Sequence, residues 1–83
     1  MSVIKTSEAR ILVYLSQVRN PDKFAAMISR KLNMDYNYLV RMLAGMKAKK
    51  WIRPVHGEAT RKIFYEITDT QILKEARTQL TGK

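Results

Sequence analysis

Residues 28–46 read ISRKLNMDYNYLVRMLAGM, and this stretch decides the fold of the chain. Its small residue Ser29 is followed four positions later by Asn33, which accepts the left-handed conformation that a helix end requires. Only two residues further on, Asp35 can cap the next helix. The stretch therefore predicts two helices joined by a tight turn, with a small residue that lets them approach each other.

The helix after Asp35 is predicted to run to about Lys50 and to have two different faces. Its apolar residues recur at helical spacing and would anchor it on the preceding helix; they are Leu39, Met42, Leu43 and Met46. The opposite face is left free for a ligand. Trp51 follows directly, and we expect it to anchor the core, the alternative being a stacking role.

Two more helices are predicted before the turn. The first spans about 7–18, with its apolar residues at helical spacing and Thr6 or Ser7 as a cap. The second is expected to begin at 20–22, Asn-Pro-Asp, because Asn caps a helix, Pro tolerates its first position and Asp favours the positive end of its dipole. Phe24 is expected on the apolar face of this second helix.

Beyond residue 50 the period changes from helical to strand-like. Residues 51–55 and 63–67 predict the two strands of a β-hairpin, joined by the polar segment 56–62. Phe64 falls on one face of the hairpin, where it is either buried against a partner or exposed. The pattern Thr68-x-x-Gln71 is a capping box and predicts a final short helix.

This α+β order of three helices, a two-stranded hairpin wing and a short C-terminal helix is that of a winged helix-turn-helix. The chain resembles the MarR-like and related archaeal winged-helix DNA-binding families over roughly 24–80, in the segments ISRKLNMD (28–35), LVRML (39–43), KKWI (49–52) and YEITD (65–69). Members commonly have Ala, Gly and Gly where this chain has Ser29, Asn33 and Lys50. The third difference removes a glycine from the end of the third helix.

The resemblance implies sequence-specific binding of double-stranded DNA by a transcriptional regulator. The third helix, about 35–50, would enter the major groove, and the wing, residues 56–62, would contact the minor groove or the backbone. Base reading maps onto the exposed face of that helix, at Tyr36, Asn37, Tyr38, Val40 and Arg41. Arg can bind guanine bidentately, Asn can bind adenine, and Tyr can reach a phosphate or a thymine methyl group. Alternatively, either tyrosine packs back on helix 2 or the hairpin, and Arg41 is a solvated charge.

Other cations are expected to neutralise DNA phosphates without reading sequence, and these are Arg30, Lys31, Lys47, Lys49 and Lys50. In the wing, Arg61 and Lys62 resemble wing-tip residues that reach the minor groove or the backbone beside it. The three lysines near the end of the third helix would also complement its dipole, whether or not they bind DNA.

The distribution of charge favours a polyanion as partner. The 83 residues carry 16 Lys+Arg and 7 Asp+Glu, a formal net charge of +9. Residues 36–62 hold seven basic and one acidic side chain, a charge of +6, whereas 63–83 hold three of each. A charge that serves solubility alone has no reason to concentrate in one segment, and a concentrated patch attracts nucleic acid.

Composition argues against several other classes of protein. The chain has one histidine, His56, and no cysteine, no phosphate-binding glycine loop and no nucleophile constellation, so we expect neither an enzyme nor a metal site nor a cofactor. No apolar stretch is long enough to cross a membrane. We expect one small domain, 1–83, that is soluble and cytoplasmic, with no small-molecule effector evident.

Two alternatives stay open at this point. A winged helix can also serve as a protein-interaction module in a transcription or replication assembly, because fold alone does not assign function. Any homodimer should pair helix 1 with helix 4, through apolar residues expected to be exposed, such as Ile4, Tyr14, Leu73 or Leu80.

Overall fold

The computed structural model describes residues 4–18, 23–56 and 63–81. Their secondary-structure elements are, in chain order, α1 (Thr6–Gln17), α2 (Ala25–Leu32), α3 (Tyr36–Ala48), β1 (Ile52–His56), β2 (Ile63–Ile67) and α4 (Thr70–Thr81). The two strands pair antiparallel, with Ile52 opposite Ile67 and His56 opposite Ile63. This confirms the predicted α+β order of three helices, a hairpin and a closing helix.

The core lies where the four helices and the start of β1 meet. Its largest fully buried side chains are Ile11, Leu12, Leu15, Ile28, Leu39, Leu43, Met46 and Ile52. All four residues of the predicted apolar stripe of α3 are buried. Trp51 is only 6% exposed, which confirms it as a core anchor. Burying a large apolar side chain contributes about 1.5–3 kcal/mol, so this stripe holds α3 firmly on the rest of the chain.

The turn between α2 and α3 has the predicted geometry. Asn33 adopts the left-handed conformation, with φ 55° and ψ 49°. The N–H of Met34 donates to the carbonyl oxygen of Ser29 at 2.9 Å, the bond that closes a Schellman motif. Oδ2 of Asp35 accepts a hydrogen bond from the N–H of Tyr38 at 3.0 Å and so caps α3.

The end of α3 repeats this motif with a lysine in the position that favours glycine. Lys50 has φ 64°, and the N–H of Trp51 donates to the carbonyl oxygen of Met46 at 3.0 Å. Oγ1 of Thr68 donates to the carbonyl oxygen of Lys50 at 2.6 Å. Because Trp51 completes the helix end, β1 begins at Ile52, one residue later than predicted.

The prediction that α2 begins at 20–22 was wrong. The helix starts at Ala25, and Phe24 is its extended N-cap residue rather than part of its apolar face. The reason is tertiary: the carbonyl oxygen of Lys23 accepts a hydrogen bond from the N–H of Tyr65 at 3.0 Å. Pairing with β2 keeps this backbone extended. Residues 20–22 themselves lie outside the described residues.

Phe64 is half-buried, and its partner is Phe24. The two residues form an isolated antiparallel bridge, and their rings meet edge to face with centroids 6.3 Å apart. The face of the hairpin that carries Phe64 is therefore covered by the segment that leads into α2.

The caps of α1 and α4 also differ from prediction. Lys5 is the N-cap residue of α1, so neither Thr6 nor Ser7 caps it. At the start of α4, Oδ1 of Asp69 accepts from the N–H groups of residues 71 and 72 at 3.0 and 3.1 Å. Thr68 is not the cap because its hydroxyl is bonded to the end of α3.

Candidate nucleic-acid interface

The face of α3 opposite its buried stripe is exposed along the whole helix. The exposed residues of this strip are Tyr36, Asn37, Val40, Arg41, Ala44 and Ala48. Asn37 and Arg41 are four residues apart, so they lie one above the other at its centre. One face of α3 is thus fixed in the core while the other can meet a ligand.

Ala44 is a member of this strip that the choice of base-reading residues left out. It follows Arg41 by three positions, and only its methyl group projects from the helix. A short side chain here lets a flat or grooved partner approach the backbone of α3 closely. The helical period contained this signal, but Ala44 carries no hydrogen-bonding group and so does not stand out among candidate base readers.

The two tyrosines at the start of α3 lie on opposite sides of the helix, Tyr36 at one edge of the strip and Tyr38 outside it. Tyr38 is 46% exposed, and its hydroxyl lies 3.2 Å from Oγ of Ser7, on α1 rather than on helix 2 or the hairpin. Tyr36 is 51% exposed and lies near Tyr65 of β2. Burial raises the pKa of the Tyr65 hydroxyl, and the neighbouring Tyr36 raises it further. Each tyrosine therefore lies close to another element of the chain, although about half of its surface is exposed.

Five cations predicted to neutralise phosphates are exposed, namely Arg30, Lys31, Lys47, Lys49 and Lys50. Two belong to the last turn of α2, just before α3 begins, and three lie at the far end of α3. A helix of 13 residues is about 20 Å long, so the cations bracket the exposed strip at both ends. Arg61 and Lys62 of the wing lie outside the described residues.

Lys49 differs from the other four because the chain itself holds its ammonium group. Nζ lies 3.5 Å from Oε2 of Glu8 and 4.4 Å from the centre of the Trp51 ring. Oε1 of Glu8 also accepts a hydrogen bond from the N–H of Lys5 at 2.9 Å. Over 4–18, 23–56 and 63–81, the other four cations form no side-chain ion pair.

Two arginines near this surface were not among the predicted site residues. Nη2 of Arg10 donates to the carbonyl oxygen of Leu32 at 2.8 Å, which ties α1 to the end of α2. Arg53 of β1 bonds Oε1 of Glu66 opposite it on β2, at 2.9 and 3.1 Å. Neither contact can be read from local sequence, because each joins separate elements.

Arg53 also lies beside two of the predicted phosphate-binding lysines. An open groove of about 500 Å³ at the C-terminal end of α3 is lined by Lys47, Lys50, Ile52, Arg53, Pro54 and Thr68. The fold thus gathers three cations around an apolar floor next to β1. The guanidinium of Arg53 is shared with Glu66, whereas the two lysines form no ion pair with any described residue.

Within the part of the chain that the structure describes, no group of three or more His, Cys, Asp or Glu side chains could hold a metal ion. His56 is exposed at the end of β1. None of the described helices is both long and apolar enough to cross a membrane.

The α1–α4 surface that was expected to serve a homodimer is only partly available. Ile4 is 5% exposed and belongs to the core, so the expectation that it is exposed was wrong. Tyr14 and Leu73 are half-buried against the core, because α1 and α4 pack along each other. Leu80, near the end of α4, is 37% exposed.

Comparison with known proteins identifies the fold. No protein-family model matches the chain, and no curated protein matches its sequence. The structure is similar to that of a mutant form of ZitR from Lactococcus lactis, with a TM-score of 0.73 and 17% sequence identity. The match covers 98% of this chain and 55% of the ZitR chain, so this chain spans about half the length of ZitR. The likeness shows that the chain has the winged-helix fold.

Proposed function

We propose that this protein binds double-stranded DNA in a sequence-specific manner, as a transcriptional regulator. One observation carries the proposal: α3 is anchored by a buried stripe while its opposite face, with Asn37 and Arg41 adjacent, is exposed along the whole helix. Asn and Arg are the side chains that recognise adenine and guanine bidentately in the major groove. A helix face that is exposed only for solubility does not require an Asn and an Arg next to each other.

In the proposed complex, α3 lies in the major groove and contacts bases through Tyr36, Asn37, Tyr38 and Arg41. The cations at its two ends neutralise phosphates on either side of the groove. Segment 56–62, with Arg61 and Lys62, lies on the minor groove or on the backbone beside it. Electrostatic attraction from this basic surface would also speed the capture of DNA.

The type of regulator is a finer part of the same proposal. The residues shared with MarR-like and archaeal winged-helix proteins support a relationship to those families. We further propose that 1–83 form one domain and that the protein acts in the cytoplasm. A homodimer through α1 and α4 would place two α3 helices on half-sites about 34 Å apart. The exposed Leu80 supports α4 as part of that contact. Light scattering at micromolar concentration tests the dimer, and a strict monomer would contradict it.

The proposal is tested by titrating the whole chain against random-sequence duplex in a gel-shift assay at low salt. We expect binding, followed by recovery of a preferred site when the protein selects from a random duplex pool. A protein-interaction module of a transcription or replication assembly would show no binding to duplex even at low salt. Binding without any preferred site would contradict sequence specificity while leaving DNA binding in place.

A further inference from the structure

A second groove runs between the start of α1 and one side of α3. It has a volume of about 300 Å³, and its lining includes Lys5, Glu8, Tyr38, Arg41, Gly45 and Lys49. The contact between Tyr38 and Ser7 joins the two helices at this place. We call it the α1–α3 groove. It lies directly beside the exposed strip of α3, since Arg41 belongs to both.

The α1–α3 groove is cationic. Lys5, Arg41 and Lys49 contribute three positive charges and Glu8 one negative charge, a net charge of +2. The carboxylate of Glu8 is turned inward, with its side chain 6% exposed, and is bonded by the N–H of Lys5 and by Lys49. Because Glu8 is paired with Lys49, the groove cations that form no ion pair within the described residues are Lys5 and Arg41.

Gly45 lines the groove, and the packing of the described residues does not require a glycine there. A Cβ at Gly45 would meet no atom of the other described residues within 4 Å. Glycine in a helix interior is destabilising relative to alanine, because it loses more backbone freedom on folding. Gly45 lies one turn from both Arg41 and Lys49, so a side chain there would stand between these two cations.

We propose that the α1–α3 groove binds a backbone phosphate of duplex DNA, next to the bases that α3 contacts in the proposed complex. Lys5 neutralises the phosphate, Lys49 contributes the part of its charge that Glu8 does not hold, and the bare backbone at Gly45 leaves room for close approach. This inference rests on the proposed function and adds Lys5 and Gly45 to the site. It explains why a position that tolerates a side chain in the free protein carries none.

The test compares the effects of two substitutions at Gly45 on folding and on DNA binding. Gly45→Ala should raise the midpoint of thermal unfolding by about 2–8 °C, because alanine is the better helix former. Gly45→Gln should also fold, since glutamine has good helix propensity, but it should weaken duplex binding about tenfold by filling the groove. Higher stability of Gly45→Ala together with weaker duplex binding of Gly45→Gln distinguishes a ligand site from a structural role.

A third variant tests the charge of the groove. Lys5→Gln should make the slope of log K against log salt shallower by about 0.9, the contribution of one neutralised phosphate. The matched control is Lys74→Gln, the same charge change at an exposed position of α4 that does not line the groove; it should leave the slope unchanged.

The outcomes separate this inference from the proposed function. If the wild-type protein binds duplex and both Gly45→Gln and Lys5→Gln bind with unchanged affinity and slope, the groove proposal is overturned and DNA binding stands. If the wild-type protein fails to bind duplex at low salt, both proposals are overturned.

Discussion

The Nζ atom of Lys49 lies 3.5 Å from Oε2 of Glu8, so the C-terminal end of α3 is joined to the first turn of α1. The carboxylate is buried, whereas the lysine side chain is 48% exposed. Lys49 therefore neutralises a carboxylate of its own chain while part of its surface still faces solvent. In the proposed complex with DNA, its contribution to binding would depend on Glu8.

Glu8→Gln should raise the affinity for duplex at low salt and lower the free energy of unfolding. The loss in stability should be modest, about 0.2–1 kcal/mol, because the partner lysine is exposed and solvent screens the pair. Affinity should rise because a negative charge beside Arg41 and Lys49 is removed. Urea denaturation and duplex titration measure the two effects. Weaker DNA binding by the variant would instead show that Glu8 acts chiefly by holding Lys49 in place.

Arg41→Ala should weaken binding to the preferred site by about 1–3 kcal/mol and relax base preference. Lys47→Ala, at the end of the same helix, should weaken binding to all sequences alike. Titrations of both variants against the selected site and against random duplex measure the difference. Lys47 is a better comparison than Lys49, whose replacement also leaves Glu8 without its cation. Equal effects of both variants on every duplex would refute this division between base reading and phosphate binding.

Lys50→Gly should stabilise the protein by about 0.5–1 kcal/mol, because glycine adopts the left-handed conformation at this helix end without strain. The control is Lys50→Ala, which removes the same ammonium group but keeps a Cβ, and it should give no such gain. Thermal unfolding distinguishes them. If both variants are equally stable, the left-handed backbone at Lys50 is not strained.

The edge-to-face contact between Phe24 and Phe64 should contribute a coupling energy of about 0.5–1.5 kcal/mol. A double-mutant cycle with Phe24→Leu, Phe64→Leu and the double variant, followed by urea denaturation, measures it. A coupling energy near zero would mean that the two rings are buried independently and that the bridge does not fasten the segment before α2 to the hairpin.

Local sequence predicted those parts of the fold that local chemistry determines. Asn33 and Asp35 specify a helix end and a helix start through their own side chains and backbone, and both were predicted correctly. The start of α2 was not, because pairing of Lys23 and Phe24 with β2 overrides the local helix signal. Thr68 was mistaken for a cap because its real partner, Lys50, is 18 residues away.

The candidate site also has one part that local sequence predicts and another that it does not. Helical periodicity shows which face of α3 is buried, so the exposed strip with Asn37 and Arg41 could be predicted. The contacts of Lys49 and Tyr38 with α1 could not, because they depend on how α1 packs against α3. For the same reason the sequence does not predict Lys5 and Gly45 as site residues. They become candidates because both line the groove between the two helices.

The central claim, that this basic surface binds duplex DNA, is tested most directly by the salt dependence of duplex binding. If about 4 to 6 phosphates are neutralised per chain, log K should fall against log salt with a slope of roughly −4 to −5. A slope near zero, or no binding at the lowest salt concentration, would contradict the account.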